Sequence, residues 1–240
     1  MEEFGHQPDP VPWHRGPAFF LLLSLVALYI ALPLVQEIGG NRPGPTGALV
    51  SGTLVCGVLV LGIRAVTRKR RAVLWTACTA TMGLLLATWS AVDGSSSGRP
   101  TGVGLVALAV FTAFLASTTV IILCVVLRNE RVNADKIFAA ICAYFLLGFT
   151  FAFGLTFLWG AMGDELFRFP QPLDATHTPS RAAELVYFSF TTLTTLGYGD
   201  MAPTTPLTRA IATLEALTGQ FYVGIIVARL VSLQLSHAKE

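Results

Sequence analysis

Five long apolar runs dominate the chain, at residues 17–35, 47–63, 72–92, 102–127 and 137–161, and a sixth at 208–235 is diluted by a few polar residues. Each falls at or near the roughly 17–25 residues that a helix needs to cross a bilayer's hydrocarbon core. Between the fifth and sixth lies a shorter amphipathic segment, 182–194, too short to span. The pattern predicts an all-α membrane protein with six transmembrane helices and one re-entrant half-helix. It divides into a tail at 1–16, a four-helix membrane domain at 17–133 and a second unit at 134–240. Within that unit the outer helix is expected at 136–161, the half-helix at 180–194 and the inner helix at 207–235.

Composition agrees. Hydrophobic residues make up 53% of the 240 and charged residues only 12%, against about 25% in soluble domains. A net charge of +2 gives no reason to expect a nucleic-acid partner. Placement of the charges says more. Arg64, Arg68, Lys69, Arg70 and Arg71 follow the second run, and Arg128, Arg131 and Lys136 follow the fourth, while the alternate connections are poorer in basic residues. By the positive-inside rule both termini are cytoplasmic and the 162–181 loop is outside. The setting is a multi-pass position in a plasma or bacterial inner membrane. Without a basic region ahead of it, the first run reads as a retained helix rather than a cleaved signal. Trp13, Trp75, Trp89 and Trp159 fall near span ends, and Cys56, Cys78, Cys124 and Cys142 lie inside spans, where they read as small buried hydrophobes.

One string carries chemistry: Thr194-Thr195-Leu196-Gly197-Tyr198-Gly199-Asp200, just after the half-helix. Dehydrating a K⁺ ion takes rings of backbone carbonyl oxygens, and aiming successive carbonyls at one axis needs glycine at alternate positions. Gly197 and Gly199 supply it, and the Thr195 hydroxyl can extend the row. The string resembles the selectivity filter of tetrameric potassium channels of the six-helix type, with leucine where valine is commonest. That resemblance implies a homotetramer in the lipid bilayer, K⁺ ions bound at Thr195, Leu196, Gly197, Tyr198 and Gly199 (filter 195–199), and no other cofactor.

The resemblance also assigns supporting roles. Tyr187 and Phe188 occupy the positions of an aromatic pair that packs around the filter tyrosine, and Thr191 and Thr194 sit at the half-helix end. Tyr187 either bonds Asp200 behind the filter or turns its hydroxyl to water. Gly219 is either an inner-helix hinge or a site of close packing against the fifth span, and Gly224 invites the same two readings. Val223, Val227 and Val231, spaced i, i+4, i+8 on one helix face, line either an inner gate or a lipid or helix contact. Glu215, an acid at mid-span, is expected to accept hydrogen bonds from Thr191 or Thr192; it is either a gating or pH element or a structural contact. Arg229 is expected to snorkel to the interface.

Several functions are excluded or disfavoured. Moving one charge through the field is worth about 2.3 kcal/mol per 100 mV, and residues 102–127 carry no charge at all, so a conventional voltage sensor is absent. Residues 236–240 leave no room for a ligand-binding domain after the last helix. His6, His14, His177 and His237 lie in termini or loops, and no enzyme motif is present. The leading expectation is a passive K⁺-selective channel, leak-like or opened by lipid, pH or an unidentified ligand. A weakly selective cation channel and a non-conducting regulatory membrane subunit are the alternatives.

Overall fold

The computed structural model describes residues 17–38, 102–127, 134–170 and 181–237, and is mostly helical. Its helices are α1 (Pro17–Ile38), α2 (Gly102–Val126), α3 (Ala134–Met162), the half-helix α4 (Arg181–Leu193) and α5 (Pro206–His237). The runs at 47–63 and 72–92, with Cys56, Cys78, Trp75 and Trp89, lie outside the described residues, as do Trp13 and residue 180, the expected start of the half-helix. Two described helices, α2 and α3, are long and apolar enough to cross a membrane, and α1 contributes a shorter apolar stretch at Ala18–Ile30.

The hub is α3, which packs against α1, α2, α4 and α5. Small residues on α3 (Ala139, Ala140, Ala143, Ala152) let the neighbouring backbones approach closely. Large ones fill what remains: Leu21 and Leu25 of α1, Phe114 and Ile122 of α2, and Phe190 of α4. Phe190 is central, with the rings of Tyr29, Phe145 and Phe149 at 4.6, 5.7 and 5.2 Å. It reaches this position because Gly148 has no Cβ, which would lie 2.9 Å from its ring.

Threonine hydroxyls in α2 and α3 are satisfied within their own helices, as an apolar surrounding requires. The hydroxyls of Thr112, Thr118, Thr119, Thr150 and Thr156 each return to the carbonyl four residues back. Asp135, in the first turn of α3, accepts the Ala18 N–H at 3.0 Å and so serves one of the free donors at the start of α1.

The structure adds a partner to one sequence expectation here and changes another. Arg229 is part-buried, and its guanidinium donates to the Leu127 carbonyl at 2.8 Å, just past the end of α2, where free carbonyls and the helix dipole favour a cation. Cys142 is buried, but Cys124 is exposed on the face that α2 turns away from α3.

Past the C-terminal end of α3, a three-residue 3₁₀ turn (Asp164–Leu166) leads into β1 (Phe167–Arg168), which pairs antiparallel with β2 (Ala202–Pro203). A second apolar cluster of Leu155, Trp159, Leu166, Phe167, Leu185, Phe188 and Met201 lies beneath it. Trp159 Nε1 donates to Asp164 Oδ1 at 2.7 Å. Thr205 caps α5 by accepting the Thr208 N–H, and Pro206 occupies the first helical position, where its missing N–H costs nothing.

Candidate functional site

The half-helix α4 aims its C-terminus at the glycine-containing string. At its other end Arg181 and Glu184 form a buried pair at 2.6 Å, and the Arg181 guanidinium lies 3.9 Å above the Phe169 ring. Glu184 thus places negative charge at the positive end of the helix dipole.

Past Leu193 the chain folds back on the helix. The Thr194 N–H donates to the Phe190 carbonyl, Thr195 to Thr192, and both Leu196 and Gly197 to Thr191. Three residues then take left-handed φ in alternation: Thr195 at 58°, Gly197 at 53° and Gly199 at 79°. Leu196 and Tyr198 between them do not. Alternation of hand turns successive peptide planes the same way, so N–H groups collect on one side and carbonyls on the other. Here the N–H side faces α4. The carbonyls of Thr195, Leu196, Gly197 and Tyr198 accept no hydrogen bond among the described residues, and residues 194–200 are all exposed. A left-handed φ costs a residue with a side chain about 1–2 kcal/mol, which is why glycine stands at 197 and 199.

Thr195 bears that cost, and Gln220 Nε2 of α5 donates to its hydroxyl at 2.9 Å. Gln220 was not singled out from the sequence. The signal that could have found it is an amide in a largely apolar helix, next to Gly219.

Thr191 and Thr194 contribute differently from each other. The Thr191 hydroxyl goes to the Phe188 carbonyl, while its own carbonyl receives two N–H groups of the string. The Thr194 hydroxyl returns to Phe190 at 2.7 Å. Behind the string, Tyr187 donates to Asp200 Oδ2 at 2.9 Å, and its ring lies parallel to that of Tyr198 with centroids 6.4 Å apart. Desolvation first, and then the Asp200 carboxylate, push the Tyr187 hydroxyl up to about 12, so it remains a donor at ordinary pH. Phe188 does not join Tyr187 around Tyr198. It is buried against Phe167 at 5.3 Å in the second apolar cluster, because adjacent residues on a helix point about 100° apart.

Helix α5 makes two close contacts with α4. A Cβ on Gly219 would lie 2.0 Å from the Leu193 carbonyl oxygen. The close packing at Gly219 is therefore against the half-helix and not the fifth span, and α5 runs unbroken through it. Gly224 faces open space within the chain. One turn before Gly219, Glu215 is wholly buried and its Oε1 meets the Ser189 hydroxyl, not Thr191 or Thr192, whose side chains lie further round the half-helix. Ser189, also missed from sequence, stands 2.9 Å from the Gly148 carbonyl of α3 as well. Farther along α5, Val223 and Val231 are half exposed, with Val227 between them on the same helix.

Residues 145–234 match the family model described as "Ion channel". No curated protein and no solved structure matches the chain. The match covers α4, the string and most of α3 and α5, so the chain carries an ion-channel domain. Together with the two apolar helices of spanning length, this match supports a membrane protein with an ion-channel domain.

Proposed function

We propose that the chain is one subunit of a K⁺-selective channel, a homotetramer of six-crossing subunits whose filter is residues 195–199. One observation carries this reading: left-handed φ alternates at Thr195, Gly197 and Gly199, and the four carbonyls from Thr195 to Tyr198 have no donor. Such a strip can replace part of an ion's hydration shell, but only part. A K⁺ ion needs carbonyls on all sides, so one chain is incomplete, and closed fourfold symmetry completes the ring. Leu214, Leu217, Phe221 and Ile225 of α5 are largely exposed in a single chain, and neighbouring subunits or lipid would cover them. Because α2 carries no charged residue, opening does not draw on charge moved by that helix. Both termini and the basic loops lie on the cytoplasmic side in this reading, and the filter mouth opens outward.

The test is electrical: full-length protein in a planar bilayer with K⁺ on one side and Na⁺ on the other. The expected result is a reversal potential strongly favouring K⁺, with current blocked by Ba²⁺. Current without preference would replace this reading with a weakly selective cation channel. Continued silence after opening the Val223–Val227–Val231 face with Val227→Gly would favour a non-conducting subunit.

A further inference from the structure

Glu215 is wholly enclosed in the third turn of α5, and among the described residues no charged or titratable side chain from α3, α4 or α5 faces it. Its polar neighbour is Ser189 of α4, itself fully buried. The Ser189 hydroxyl stands between two oxygens, the Gly148 carbonyl of α3 at 2.9 Å and Glu215 Oε1. A serine hydroxyl has one proton to donate, and a carbonyl can only accept. Both contacts are hydrogen bonds only if Ser189 donates to Gly148 and receives a proton from Glu215. The second Glu215 oxygen meets no donor. A carboxylate so enclosed would lack the several donors its charge requires, whereas a neutral acid leaves only one weakly polar oxygen bare.

We propose that Glu215 is held as a neutral acid that donates to Ser189, and that through Ser189 it positions the half-helix and the carbonyls built on its end. Spacing supports the positioning role. Glu215 and Gly219 lie four apart on one face of α5, and Ser189 and Leu193 lie four apart on one face of α4. Glu215 meets Ser189 and Gly219 presses on Leu193, so the two helices are fastened at two successive turns. The next carbonyls along, those of Thr191 and Thr192, hold the N–H groups of residues 195–197.

The positioning half of this inference rests on the filter reading above; the proton half does not, and the experiment separates them. Full-length protein in lipid vesicles is examined by infrared difference spectroscopy, wild type against Glu215→Gln, and by reversal potential in K⁺ against Na⁺. A carboxylic-acid C=O band present at neutral pH in wild type, absent in Glu215→Gln and shifted in Ser189→Ala, is the expected result. Glu215→Gln still has an N–H to give Ser189 and keeps the K⁺ preference. Glu215→Leu and Ser189→Ala have no such pair and lose roughly tenfold of it, the factor expected for one buried hydrogen bond. A missing acid band overturns the proton assignment. Glu215→Gln as impaired as Glu215→Leu, or full preference kept by Ser189→Ala, overturns the positioning role. Ser189→Ala decides this point even if Glu215→Leu fails to fold. A wild type without K⁺ preference would refute the filter reading and with it the positioning role, while the infrared result would still decide the proton.

Discussion

Replacing Gly219 by alanine drives a methyl group into the end of the half-helix. The new Cβ would lie 2.0 Å from the Leu193 carbonyl oxygen and 2.9 Å from its carbon, where ordinary contact begins near 3.4 Å. The obstacle is backbone, so no rotamer change relieves it, and α5 must withdraw from α4 to restore ordinary contact. Overpacking of this kind costs about 1–3 kcal/mol, and the better helix propensity of alanine returns only about 0.5–1 kcal/mol. A net loss of about 1 kcal/mol is expected, with the displacement delivered to the residue just before the carbonyl strip. Gly224→Ala is the internal control: nothing lies within 4 Å of its Cβ in the chain, so only the propensity gain applies. Thermal unfolding of the full-length protein and reversal potentials in K⁺ against Na⁺ would be measured for both variants. A glycine kept for hinge motion would behave differently, gaining stability on substitution and altering only how long the channel stays open. If Gly219→Ala is as stable as wild type and equally selective, the close-contact reasoning is wrong.

Gly197→Ala and Gly199→Ala force alanine to φ of 53° and 79°; each should cost about 1–2 kcal/mol locally and abolish K⁺ preference, read from the same reversal potential. Thr195→Gly relaxes a φ of 58° but removes the oxygen that Gln220 reaches. These effects oppose each other at about 1 kcal/mol each, so stability should stay near wild type while Ba²⁺ block weakens. Tyr187→Phe deletes the 2.9 Å bond to Asp200 at a cost of about 0.5–1.5 kcal/mol; single-channel recordings should show shorter openings with the pore intact. Arg229→Leu removes the donor on the Leu127 carbonyl and should lower the unfolding midpoint, by an amount corresponding to about 1.5–3 kcal/mol for a charged hydrogen bond.

The helices at 17–38, 102–126, 134–162 and 206–237 are legible in the sequence because each is a long, largely apolar run, and hydropathy is a property of each residue alone. The string at 194–200 is legible for a related reason. Its left-handed positions are a local backbone requirement that glycine meets and most residues do not, and two of the three announce themselves as Gly197 and Gly199. The third, Thr195, does not, because its strain is held in place by α4 and by Gln220 on another helix.

What the sequence left open concerns partners between helices. That Glu215 meets Ser189 rather than Thr191 or Thr192, that Gly219 rests on Leu193, and that Arg229, 102 residues away, holds Leu127 all depend on the rotation and rise of one helix against another. A turn of 100° per residue moves a side chain from one neighbour to the next, so a small difference in rotation exchanges partners without changing any run of hydropathy. Those settings follow from where small residues permit close approach, as at Gly148 beneath Phe190 and Gly219 beneath Leu193. Hydropathy and backbone preference are local, and the chain states them. Helix-to-helix contact comes from the packing of all the helices together, and only the tertiary structure decides it.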